Sequence, residues 1–103
     1  MFRISYNFCT QMTFENGFTV SFAIGEGNYC SNKNPELNPY VNMKKERESN
    51  NCEVIVFDSN GDLDIQQFLP EGVRGDGSKC AGWITPDVLV KVMSNVANWK
   101  ECS

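Results

Sequence analysis

The chain has 103 residues, of which 41% are hydrophobic and 21% charged, so it lies outside the low-hydrophobicity, high-charge range of disordered chains and matches one domain spanning residues 1–103. Its net charge of −4 argues against a generic nucleic-acid coat, because affinity for phosphates grows with the number of basic contacts. Histidine is absent, which removes serine triads of the usual type, Cys-His nucleophile pairs and most catalytic zinc sites.

From Phe2 the apolar positions alternate as Phe2, Ile4, Tyr6 and Phe8, continue at Met12 and Phe14, and resume after Asn16-Gly17 as Phe18, Val20, Phe22 and Ile24. This period of two predicts half-buried strands joined by a hairpin. A three-residue loop Glu15-Asn16-Gly17 pairs Phe14 with Phe18 and Met12 with Val20, with Gly17 left-handed in a bulge; a two-residue Asn-Gly turn would mix the two faces. The start of the chain shows no basic leader, and no apolar run approaches the ~20 residues of a membrane span, so the expectation is a cytoplasmic, unexported protein without membrane contact.

Gly25 to Asn51 is a long polar stretch, and loops of this length are uncommon in compact domains unless they serve a function. Gly25-Glu26-Gly27-Asn28-Tyr29-Cys30 lacks both the dinucleotide glycine spacing and a Gly-Lys-Ser/Thr ending, and reads as a tight strand exit. Asn38 and Pro39 suit the cap and first position of a short helix through Tyr40, Val41 and Met43. Lys33 to Arg47 holds four bases against two acids. Within it, Lys44, Lys45 and Arg47 beside Tyr40 and Met43 form a candidate contact patch for a partner protein.

Asp58-Ser59-Asn60-Gly61-Asp62-Leu63-Asp64 has the look of a calcium loop. The EF-hand pattern, however, needs glycine at its sixth position and glutamate at its twelfth, where this chain has Leu63 and Leu69. The alternative is a second hairpin with Ser59-Asn60-Gly61 as its loop, Phe57 facing Leu63 and Ile55 facing Ile65. Asp58, Asp62 and Asp64 then gather at one edge as a second candidate partner-binding surface. They belong to an acidic half, Glu53 to Asp76, that holds six acids against Arg74 alone. Pro70 to Gly82 reads as a glycine-rich connector.

Thr85 is a good helix N-cap, Pro86 suits the first helical position, and Asp87 complements the positive end of the helix dipole. Val88, Leu89, Val92, Met93, Val96 and Trp99 form one apolar stripe, leaving Lys91, Ser94, Asn95 and Asn98 outside. The valines and asparagines give weak intrinsic helicity, so this helix depends on docking against a sheet. The expected fold is α+β: a four- to five-stranded antiparallel sheet made largely from two hairpins, with the C-terminal amphipathic helix packed on one face.

Cys9, Cys30, Cys52, Cys80 and Cys102 are an odd number without close pairs, which fits reduced thiols better than a zinc knuckle. No sequence pattern calls for a cofactor, a metal or catalytic residues. Gly27-Asn28-Tyr29-Cys30-Ser31-Asn32, then Cys52-Glu53-Val54-Ile55-Val56-Phe57-Asp58 with Gly61, then Gly82-Trp83-Ile84-Thr85-Pro86-Asp87-Val88 together resemble a group of small tailed-bacteriophage accessory proteins. Those share a GNYC-type turn, a strand ending in a turn glycine, and a G-W/Y-x-x-P helix entry. The resemblance implies a phage-encoded protein acting in the host bacterial cytoplasm. With elimination of catalytic chemistry, it gives as leading expectation a non-enzymatic inhibitor that binds a host protein, such as a component of a CRISPR defence. A self-associating virion or assembly component, with a homodimer left open, and a small metal-binding factor are the alternatives.

Overall fold

The computed structural model describes residues 1–4, 9–24 and 49–100. Among the described residues, six strands form one antiparallel sheet: β1 (Phe2–Ile4), β2 (Thr10–Thr13), β3 (Thr19–Ala23), β4 (Cys52–Asp58), β5 (Gly61–Asp62) and β6 (Cys80–Ile84). A 3-10 turn (Ile65–Phe68) follows β5, and helix α1 (Pro86–Ala97) follows β6. The order across the sheet is β1-β2-β3-β4, and β5 and β6 share the far side of β4. The architecture is thus the expected α+β sheet with a C-terminal helix on one face. The readings of Tyr6 and Phe8, of the strand exit at Gly25–Cys30 and of the short helix after Asn38 lie outside the described residues.

The first hairpin has the expected register. Met12 pairs with Val20, the Phe14 N–H donates to the Phe18 carbonyl (2.9 Å), and Gly17 sits at φ +89°. The second hairpin differs by one residue. Phe57 lies opposite Asp62, Asp58 opposite Gly61, and the Leu63 N–H donates to the Val56 carbonyl, so the loop is Ser59-Asn60 and the expected pairing of Phe57 with Leu63 is incorrect. Nor does Ile55 face Ile65, because Cys80 of β6 occupies that place and Ile65 opens the 3-10 turn. A one-residue slip exchanges the faces of a strand. The buried residues of β4 are Cys52, Val54 and Val56, not Ile55 and Phe57, and Leu63 joins the core only by lying opposite Val56. Gly61, at φ +119°, makes this tighter connection, supported by the Asp58 carboxylate accepting from the Asn60 N–H at 2.8 Å.

The sixth strand was hidden in the glycine-rich connector. The connector becomes a hook: the Ile65 N–H donates to the Ser78 carbonyl, and the Gln66 amide donates to the Val73 carbonyl (2.8 Å) while accepting from the Gly75 N–H (3.1 Å). These bonds turn the chain back so that Cys80–Ile84 can pair with β4.

The helix docks on β3, β4 and the 3-10 turn. Val92 and Val96 are fully buried against Val20, Val54, Val56, Ile65 and Phe68, and Val88, Leu89, Met93 and Trp99 pack at the margin, so the whole predicted stripe faces the core. The Phe68 ring stands edge-on to Trp99 with centroids 4.8 Å apart, and the Asn95 amide donates to the Phe68 carbonyl at 2.8 Å. Thr85 caps the helix N-terminus by accepting from the Val88 N–H. The other end is closed from a distance. The Asn16 amide at the first hairpin's tip donates to the carbonyls of Val96 (2.7 Å), Ala97 (3.3 Å) and Trp99 (3.1 Å), and its oxygen accepts from the Phe18 N–H. Helix ends leave carbonyls without intrahelical partners, and one side chain from another element meets two of them here, at Val96 and Ala97, together with the Trp99 carbonyl just beyond the helix.

The helix is too narrow to cover the whole face. The cross-strand row Phe2, Met12, Val20, Val56 runs from Phe2 at 78% exposed to both valines fully buried. The expectation of half-burial therefore fails for Phe2 and Ile4 (75% exposed), because α1 lies over β3 and β4 and does not reach β1.

Asn16→Ala is expected to lower stability by about 1–2 kcal/mol, since it strands helix-terminal carbonyls. Asn98→Ala, whose side-chain bond to the Ser94 carbonyl is duplicated by its own backbone N–H, is expected to cost under about 0.5 kcal/mol. Urea denaturation of the two variants checks the contrast.

Candidate functional site

Of the residues singled out from the sequence, Tyr40, Met43, Lys44, Lys45 and Arg47 lie outside the described residues. Asp58, Asp62 and Asp64 lie at the β4–β5 end of the sheet, but they do not converge on one point. Asp58 closes its own turn, and the Asp64 carboxylate caps the 3-10 turn by accepting from the Gln66 N–H at 3.0 Å. The Asp62 backbone carbonyl accepts from the Lys79 ammonium at 3.0 Å. Among the described residues, no three of His, Cys, Asp and Glu gather in a way that fits a metal ion. Cys9, Cys52 and Cys80 are unbridged thiols.

The residue that the sequence reading passed over is Trp83. It belongs to the helix-entry motif Gly82-Trp83-Ile84-Thr85-Pro86 in the sequence, and in the structure it lies in β6, where the pairing with β4 shifts register. Ala81 lies opposite Val54 and Ile84 opposite Cys52, so Gly82 and Trp83 together face the single residue Glu53. This is a β-bulge, and such features re-aim side chains. Trp83 has φ +59°, the sole positive φ at a non-glycine residue among those described, and its side chain is 51% exposed while its neighbours Ala81 and Ile84 are buried. A left-handed backbone at a bulky residue costs about 1–2 kcal/mol. The fold therefore holds a large aromatic ring in water by a strained backbone, although burial would have been the favourable place for it.

The bulge is pinned from the side away from β4. The Gly82 N–H donates to the Asp76 carboxylate in a short hydrogen bond, and the Asp76 N–H donates to the Cys80 carbonyl at 3.1 Å. Asp76 and Glu53 thus flank the bulge on its two sides. Their joint field reaches Cys80, whose thiol is held above the usual thiol range by partial burial first and by the negative charges of Glu53 and Asp76 second. That thiol stays protonated at neutral pH, which makes it a poor nucleophile. The sheet face that carries Cys80 also carries Ile55 and Phe57, both half-buried, with Thr19 and Ser21 beside them.

One shallow cleft of about 150 Å³ lies on the helix side, lined mainly by Phe22, Ile24, Cys52, Ile84 and Leu89. Its lining offers no acid–base pair. No described helix is long and apolar enough to cross a membrane. No family profile, curated protein or solved structure matches this chain.

The strain at Trp83 is directly measurable. Trp83→Gly and Trp83→Ala lose the same indole contacts, but only glycine accepts the left-handed backbone without cost. Trp83→Gly is therefore expected to be the more stable of the two by about 1 kcal/mol, read from thermal or urea midpoints. Equal stabilities would mean that the bulge carries no strain.

Proposed function

We propose that this protein is a non-enzymatic binding module that acts by occupying the surface of another protein. The observation that carries this reading is Trp83: half-exposed and held in a left-handed bulge between the buried Ala81 and Ile84. Tryptophan is the residue most enriched among interface hot spots, and backbone strain persists where the surrounding structure over-determines it, often at functional positions. The chemistry of the chain is consistent with this, since it has no histidine and its partly exposed thiol at Cys80 is kept protonated. The finer reading is that the module is phage-encoded and inhibits a host bacterial protein, for example a component of CRISPR immunity. It rests on the resemblance of the turn, strand and helix-entry motifs to tailed-bacteriophage accessory proteins. The basic patch Tyr40, Met43, Lys44, Lys45 and Arg47 and the acidic positions Asp58, Asp62 and Asp64 are further contact candidates in this reading.

The experiment is affinity capture from a bacterial lysate with the wild-type chain and Trp83→Gly side by side, joined to phage plating on a CRISPR-immune strain expressing each. One host protein retained by wild type and lost with Trp83→Gly is the expected result, with plating of the targeted phage restored by wild type alone. Recovery of no specific protein sinks the binding reading; a specific partner without restored plating sinks only the CRISPR target.

A second reading, a self-associating assembly component, is favoured by β1. This strand is at the sheet edge and pairs only with β2 among the described residues, with Phe2 and Ile4 exposed on it. Exposed edge strands with apolar side chains are templates for pairing with another chain. Sedimentation velocity over a hundredfold range of concentration is expected to show a larger species that Ile4→Lys abolishes; a constant monomer excludes this reading.

A further inference from the structure

We infer that Asn60-Gly61 is a site of spontaneous covalent modification, at which the folded chain converts the Asn60 amide to an aspartyl or isoaspartyl acid, and that the helix shields Asn16-Gly17, the same dipeptide, from that reaction. The site is independent of the binding-module reading.

The reaction needs no enzyme. The Gly61 backbone nitrogen, once hydroxide has taken its proton, attacks the Asn60 Cγ; the new C–N bond closes a cyclic imide, and the side-chain nitrogen leaves as ammonia. Water then opens either imide carbonyl, so one water enters, one ammonia leaves, and nothing is oxidised or reduced. Glycine in the following position speeds the attack because it has no Cβ to screen its nitrogen. Both Asn-Gly pairs of the chain stand at hairpin tips, between β2 and β3 and between β4 and β5.

Hydrogen bonding separates the two sites. At the first tip both reacting groups are engaged. The Asn16 amide nitrogen donates to the Val96, Ala97 and Trp99 carbonyls, its oxygen accepts from the Phe18 N–H, and the Gly17 N–H, the would-be nucleophile, donates to the Phe14 carbonyl at 3.0 Å. Attack there requires the side chain to leave the helix, so the free energy of that opening adds to the barrier. At the second tip the side chain has no such tether. Asn60 is exposed, and its turn is closed by Asp58, whose carboxylate accepts from the Asn60 backbone N–H at 2.8 Å. No hydrogen bond engages the Asn60 side-chain amide among the described residues, so its Cγ can swing toward Gly61. Gly61 itself opens β5, a strand of two exposed residues, and so short a ladder parts at little cost.

The product changes this end of the sheet in charge and in shape. A carboxylate at position 60 joins Asp58, Asp62 and Asp64, and in the isoaspartyl form the main chain runs through the former side chain, which lengthens the Ser59-Asn60 loop by one methylene. Loop length sets hairpin register, so the pairing of Phe57 with Asp62 is disturbed. The same change at Asn16 would set an acceptor-only carboxylate against three carbonyls, which is why its shielding matters to the fold.

The test is incubation of the full, folded chain in mildly alkaline buffer. Peptide mapping by mass spectrometry reads the amide-to-acid mass gain at each site, and enzymatic isoaspartyl methylation is the second readout. Conversion at Asn60 is expected to run about tenfold or more faster than at Asn16, the factor imposed by an opening that costs about 1.4 kcal/mol. In denaturant the two sites are expected to convert at similar rates, since neither is then tethered. Asn60→Gln is expected to remove the fast site, because the longer side chain closes its ring far more slowly, and to leave the Asn16 rate as it was. Val96→Ala, which loosens the helix that Asn16 holds, is expected to raise the Asn16 rate severalfold and leave Asn60 unmoved. Equal rates at the two sites of the folded chain, a faster Asn16, or an Asn60 that converts in denaturant but not in the folded chain each overturn the inference. An Asn16 rate indifferent to Val96→Ala overturns the shielding by the helix.

Discussion

The helix exists because the sheet holds it. Eight of the twelve residues from Pro86 to Ala97 are valine, asparagine, serine, proline or aspartate, which are poor or neutral helix formers in the middle of a helix. A segment this short and this composed is marginal in water. It is stabilised by burying Val92 and Val96 on the valines of β3 and β4, by the Phe68–Trp99 contact, and by two caps of different origin. The N-terminal cap is local, from Thr85. The C-terminal cap comes from Asn16, eighty residues away in sequence from Val96, so the first hairpin and the helix fix each other. Helix formation and sheet closure are consequently one event.

That mutual dependence divides the surface into two parts. On the helix side the sheet is covered from β3 outward to the β5–β6 side of β4, and the cross-strand row opens progressively towards β1, where Phe2 and Ile4 face solvent. On the other side no helix is present among the described residues. That face carries the buried hydroxyl residues Thr19 and Ser21 on β3, with half-buried Thr13 on β2 and half-buried Ile55 and Phe57 on β4.

The bulge shows how strain can be localised. Hook 70–79, tied by Gln66 and Asp76, delivers β6 to β4 one residue out of phase between Ala81 and Ile84. Both flanking residues must be buried, Ala81 against Val54 and Ile84 beside Cys52, so the extra residue between them is forced outward. A glycine already occupies position 82, and a second glycine at 83 would relieve the backbone. The chain carries tryptophan there instead, which marks a position where local stability yields to surface chemistry.

Much of this was legible in the sequence. Period-two alternation, Asn-Gly turns, the Thr-Pro-Asp helix start and a complete apolar stripe on the helix are local patterns, and each sets its element through its own backbone preferences and the need to bury one face. The register of the first hairpin could be read because both of its strands are alternately apolar. The second could not, because β4 is apolar on both faces, so Phe57 and Val56 were equally good partners for Leu63 until the helix chose the face that it covers. The exposure of β1, the sixth strand drawn from a glycine-rich hook, the Asn16 cap and the left-handed Trp83 are all set by residues distant in sequence. Such features depend on where the other elements stop, and only the assembled sheet and helix fix that.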